Sequence, residues 1–213
     1  MPGRTILAAR GVPWIIGSAL LLVAAASLYA FTGGAASQPS SAPAPSSGDI
    51  SYGPTDAQQL VIEYSDLQCP FCAEYAKIMA QLRQEYGDRV QFVFRFFPLS
   101  NHKYGMISAR AAYAAFLQDK FWEMHDLLFD KQMEWSESSD PIPYFDSYAK
   151  SLGLNIDQFH RDMEAQSTTD FINGQADAGS VAGVTRTPWF VVGDRSVLPR
   201  TIEEFRKLIE AGL

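Results

Sequence analysis

The chain has 213 residues, of which 47% are hydrophobic and 19% charged, a balance that supplies a real core and excludes an intrinsically disordered protein. Net charge is −7, and because the first 48 residues carry Arg4 and Arg10 but no acid, the remainder holds 15 basic against 24 acidic residues. A nucleic-acid binder needs the opposite balance, so that class is set aside. The length suits one domain, or one domain with a sizeable insertion.

In chain order, residues 1–11 read as a short cytoplasmic end ahead of an uncharged run of 20 residues, VPWIIGSALLLVAAASLYAF at 12–31. At about 1.5 Å per helical residue this run covers roughly 30 Å, the thickness of a bilayer core. Basic residues in front and none behind place the remainder of the chain outside the cytoplasm. The run is expected to be a transmembrane anchor, or else a signal segment cleaved after Ala36 in GAAS, which would release the domain. Residues 32–51, dominated by Gly, Ala, Ser and Pro, read as a flexible tether that reaches up to roughly 50 Å if extended. The folded domain is expected over 52–213.

QLVIEYS at 59–65 is a short apolar run that reads as a buried strand. From Phe71 onward, Tyr75, Ile78, Met79 and Leu82 recur at helical spacing, with Gly87 as a stop. RVQFVFRFFPL at 89–99 reads as a second strand closed by Pro98, in which Phe92, Phe94 and Phe96 are sheet core and Phe97 lies on the other face. Strand, helix, strand implies a parallel pair with a right-handed crossover. An all-helical insertion is expected at about 101–184, with Phe121, Met124 and Leu128 on one face of its KFWEMHDLLFDKQ segment. PWFVVGDRSVLPR at 188–200 reads as a hairpin turning at Gly193–Asp194. Finally, TIEEFRKLIEAGL reads as a helix opened by a capping box of Thr201 and Glu204.

Both cysteines of the chain, Cys69 and Cys72, fall within SDLQCPFCAEY at 65–75. A bridge between them closes almost no loop, so stability is a poor reason for the pair. They sit where a strand hands over to a helix, and Pro70 suits the first helical position. Unpaired N–H groups and the helix dipole there favour a negative sulfur on Cys69, the form that attacks disulfides. Cys69 is thus the candidate nucleophile and Cys72, one turn on, the resolving thiol of a Cys69–Cys72 redox disulfide. Zinc would need a second ligand pair, yet His102, His125 and His160 are isolated, and haem attachment would need His where Ala73 stands.

With CPFC following VIEYSDLQ, and with FVFRFFPL, ARAAYAAFLQDKFWEMHDLLFDKQ and VTRTPWFVV in that order, the chain resembles the DsbA-like family of thioredoxin-fold thiol–disulfide oxidoreductases over about 55–212. The resemblance implies an α/β thioredoxin-like fold with an all-helical insertion. It also implies that Glu63, six places before the first cysteine, relays a proton to or from Cys72. Thr187 and Pro188 match a loop whose proline is cis and whose backbone pairs with substrate; Phe71 joins them as a substrate contact. Trp189 either shapes a peptide groove or is a core aromatic. The Pro-Phe dipeptide departs from the Pro-His of strongly oxidising members and implies milder oxidation. The implied partners are cysteine-containing exported proteins and a quinone-linked membrane oxidant. The protein is expected to act as a monomer on the periplasmic or other extracytoplasmic face. No metal, nucleotide, haem or other cofactor is implied. Disulfide formation is the favoured direction, with reductase or isomerase activity, or a tethered peptide-binding chaperone, as alternatives.

Overall fold

The structure, a computed structural model, describes residues 38–39, 44–45 and 48–213. The expected cytoplasmic end, the 12–31 anchor or signal segment, its cleavage position and most of the tether lie outside these residues. Among the described residues no helix is long and apolar enough to cross a membrane.

Six strands form one sheet: β1 (Gln38–Pro39), β2 (Ile50–Tyr52), β3 (Gln59–Ser65), β4 (Val90–Phe96), β5 (Trp189–Val192) and β6 (Arg195–Val197), in the spatial order β1-β6-β5-β3-β4-β2. β3 and β4 pair in parallel, joined by helix α1 (Pro70–Tyr86), and every other pairing is antiparallel. β4 is buried along its whole length, which explains its near-continuous run of Val and Phe. Between β4 and β5 come six helices: α2 (Gly105–Phe116), α3 (Phe121–Asp130), α4 (Gln132–Ser136), α5 (Ile142–Ser151), α6 (Ile156–Glu164) and α7 (Gln166–Val181). The chain closes with the β5–β6 hairpin and α8 (Ile202–Glu210).

One face of the sheet buries Val61, Phe92, Phe190 and Val192 against Met79 and Leu82 of α1 and Phe205 and Ile209 of α8. The other face packs Ile62, Tyr64, Val93 and Val191 beneath α7. That approach is close: a Cβ on Gly179 would lie 2.8 Å from the Tyr64 ring, so glycine is what lets α7 lie down here. The insertion has its own core of Phe121, Met124, Leu128, Trp135, Phe145 and Phe159, continuous with Phe94, Phe96 and Cys72. The hairpin turns through Gly193 at φ 60°, a left-handed conformation suited to glycine.

The sheet takes in residues that composition alone assigned to the tether. Ile50 is buried opposite Phe94, and Asp49 pairs with Arg95 at 3.0 Å with both side chains less than a tenth exposed. A buried guanidinium on β4 requires an anion, and the segment before β2 supplies it. The α8 cap is half of the expected box: Thr201 Oγ1 accepts from the Glu204 N–H, but the Glu204 carboxylate accepts from the N–H of Arg200.

Candidate active site

Cys69 is the N-cap of α1, with extended backbone (φ −71°, ψ 121°), and Pro70 occupies the first turn, where its missing N–H costs nothing. Both cysteines are free thiols, 3% and 0% exposed. Between them Pro70 is exposed and Phe71 is 64% exposed, so what the motif shows to solvent is a pyrrolidine and a phenyl ring. Facing the pair is the Thr187–Pro188 peptide, which is cis. The Cys69 thiol donates to the Thr187 carbonyl at 3.6 Å, joining segments 118 residues apart.

The two sulfurs differ sharply in acidity. Cys69 is lowered from 9.0 to about 6, first by the hydrogen bond it accepts from the Cys72 thiol, against the opposing effect of burial. Thr187 and the backbone N–H groups of Cys72 and Phe71 lower it further. With Cys69 neutral the Thr187 hydroxyl has no partner; the anion gives that hydroxyl an acceptor. Helix-start N–H groups therefore contribute, as sequence position suggests, but the neighbouring thiol contributes more. Cys72 moves the other way, raised well above 9.0 by burial and by donating to Cys69.

Glu63 lies in the middle of β3, in register with Phe94 and Phe190, and is 4% exposed. Burial pushes its pKa from 4.5 to about 7, while Ser65 and Arg83 pull it down and Cys69 pushes it up. Its Oε1 is buried without a hydrogen-bond partner, leaving capacity to accept a proton. Arg83 on α1 pairs with Asp126 at 3.2 Å and lies 4.1 Å over the Trp122 ring. Asp126 also bonds His125 Nδ1 at 2.8 Å; His125 is fully buried and burial lowers its pKa.

The turn into the motif is sewn in place by side chains with no obvious marker in the sequence. Asp66, buried, accepts from the N–H groups of Gln68 and Leu99 and bonds His102 Nδ1 at 2.8 Å. Gln132 reaches across from α4 to the carbonyls of Leu67 and Cys69. Trp189 is half-buried, packs with Ile62 and Tyr64, and carries Arg186 5.1 Å above its ring. Glu63, Cys69, Phe71, Cys72, Thr187 and Pro188 thus come together, while His160 sits on the insertion paired with Asp146. Among the described residues no three His, Cys, Asp or Glu side chains converge where they could hold a metal ion.

A CxxC pair opening the helix after a central strand, against a cis-proline loop on this sheet, defines the thioredoxin-like class, here with a helical insertion. A family profile described as Thioredoxin matches residues 46–211, and the chain belongs to that family. The fold is that of its DsbA-like members. It resembles α-DsbA1 of Wolbachia pipientis at TM-score 0.68 and 20% identity, covering 78% of this chain and 92% of that one. BdbD of Bacillus subtilis superposes at TM-score 0.70 and 22% identity, covering 82% and 98%. A thioredoxin-like oxidoreductase of Silicibacter pomeroyi does so at 0.66 and 25%, covering 78% and 92%. Among curated proteins, the Na(+)/H(+) antiporter NhaA 1 of Mycolicibacterium vanbaalenii is 34% identical over 163 residues, 74% of this chain but 25% of the antiporter. NhaA 3 of Salinispora tropica is 35% identical over 144 residues, 67% of this chain and 21% of its own length. The chain therefore spans about a quarter of the length of these relatives.

Proposed function

We propose that the protein is an extracytoplasmic thiol–disulfide oxidoreductase that forms disulfides in exported, cysteine-containing proteins. The observation that carries this reading is Cys69 at the N-cap of α1 against Thr187 with Cys72 fully buried behind it, an arrangement that holds Cys69 down to about 6 and pushes Cys72 up. Stabilising the Cys69 thiolate stabilises the reduced protein, which makes its disulfide a better oxidant and Cys69 a better leaving group. A substrate thiolate attacks Cys69 in the Cys69–Cys72 disulfide, forming a substrate–Cys69 disulfide and expelling the Cys72 sulfur as thiolate. Glu63, protonated below its pKa of about 7, supplies the proton that Cys72 takes up. A second substrate thiolate then attacks the substrate sulfur and releases Cys69 as thiolate, leaving substrate oxidised and enzyme reduced by two electrons.

Ionisation of Cys69 removes its hydrogen bond to the Thr187 carbonyl, freeing that acceptor for the backbone of an extended substrate. Phe71 offers an apolar contact beside the attacked sulfur. The 12–31 segment carries the domain out of the cytoplasm, as an anchor or as a signal that is cleaved, and a quinone-linked membrane oxidant restores the disulfide.

Equilibration against glutathione tests the direction. A potential near about −120 mV supports an oxidase, and one near about −270 mV replaces that assignment with a reductase. Cys69→Ser must abolish exchange. Wild-type protein inert toward oxidised glutathione would remove the reading altogether.

A further inference from the structure

Gln132 is 5% exposed and lies at the start of a five-residue helix in the insertion. Its Nε2 donates to the Leu67 carbonyl at 2.8 Å and to the Cys69 carbonyl at 3.0 Å. An amide nitrogen has two hydrogens, and both are committed. The Leu67 carbonyl belongs to the turn that delivers the motif. The Cys69 carbonyl belongs to the peptide unit joining the cysteine to Pro70, and it also accepts the first helical hydrogen bond, from the Ala73 N–H at 3.2 Å.

The bracket is anchored at its far end. Trp135, one turn on, is fully buried, donates from Nε1 to the Leu128 carbonyl at 2.8 Å and packs 5.3 Å from the Phe145 ring. Side chains 132 and 135 therefore both hold the short helix to its surroundings.

Resting on the exchange reaction proposed above, we infer that Gln132 is a positioning residue: its side-chain amide fixes the two peptide units around Cys69 and so sets where the Cys69 sulfur sits relative to its hydrogen-bond donors. The sulfur's partners are the Cys72 thiol, Thr187 and two backbone N–H groups, all of them distance-sensitive. The partial positive charge of the Gln132 amide also lies on the backbone of the residue that becomes anionic. Without that amide, the Leu67 and Cys69 carbonyls each lose a donor, and the Cys69 peptide unit is held by the Ala73 N–H alone on that side.

The test is the ionisation of Cys69 in Gln132→Met, which keeps the volume and removes the donor. The leading thiolate is titrated by its ultraviolet absorbance and by the pH dependence of alkylation. The expected result is a rise of about one pKa unit, which makes the thiolate population about fivefold smaller at pH 6 and approaches tenfold only well below it. Phe159→Leu, which loosens the insertion core at α6 without touching the turn or the Trp135–Phe145 contact, is the stability control and must leave the titration unmoved. Equal shifts in both variants at matched melting temperature, or a Gln132→Met titration overlying wild type, would overturn the inference.

If Gln132→Met does not fold, Gln132→Asn keeps a donor too short to reach both carbonyls and must give an intermediate shift. In the wild type, both Gln132 side-chain amide protons must exchange slowly and their resonances must follow the Cys69 titration; free exchange overturns the inference. Failure here with wild-type exchange intact removes only the role of Gln132. Loss of wild-type exchange removes the function beneath it.

Discussion

Replacing Glu63 with Gln removes a buried titrating group while keeping its shape, and the consequence is a change in how stability varies with pH. The folded pKa is about 7 against 4.5 for the free carboxyl. The unfolded chain therefore releases this proton first, and the folded protein keeps it until pH rises through about 7. The stabilisation that goes with holding the proton is complete below the unfolded value, declines through the window from 4.5 to about 7, and is gone above it. A gap of two to three units corresponds to about 3 kcal/mol, most of it falling between about pH 5 and pH 8. The measurement belongs on the disulfide form, where neither sulfur titrates. His125, whose buried ring has a lowered pKa, works in the opposite direction, losing stability as pH falls, so the informative quantity is wild type minus variant. Urea titrations across this range must show the Glu63→Gln protein gaining about 2 kcal/mol or more on wild type by the alkaline end. A difference that stays flat with pH would mean that Glu63 ionises normally, and the burial argument for proton transfer at Cys72 would go with it.

The thiol form must show the reverse trend. Cys69 titrates near 6 when folded against 9.0 for a free thiol, so its contribution is present above the unfolded value and lost as pH falls through about 6; reduced minus oxidised stability must therefore climb over that range, and a level difference would contradict the lowered acidity. Asp49→Ala must cost about 3 kcal/mol in urea unfolding, because Arg95 would be left buried without its carboxylate; a loss below about 0.5 kcal/mol would place the pair among surface salt bridges.

Elements carried by local pattern were legible. β3 and β4 are unbroken apolar runs, α1 shows its apolar face from Tyr75 to Leu82 and stops at Gly87, and Phe121, Met124 and Leu128 are buried as their spacing predicts. β1 and β2 were not legible, because strands of two and three residues owe their conformation to the partner edge rather than to their own composition. The same division runs through the site. Cys69 and Cys72 declare themselves by spacing, and Glu63 stands out as the one charge in an apolar strand. The cis bond at Thr187–Pro188 has no local signal and followed from family resemblance alone. Gln132 and Arg83 sit in segments that read as ordinary polar helix, since what matters is a contact made across 63 residues in one case and 43 in the other.

The short outer strands have a consequence of their own. A sheet whose flanks are long and flat invites foreign backbone to zip onto it. Here one flank is two residues, one of them Pro39 with no N–H to offer, and the other is three residues long. Among the described residues, the outer strands thus offer little ladder of their own on which an extended chain could stack.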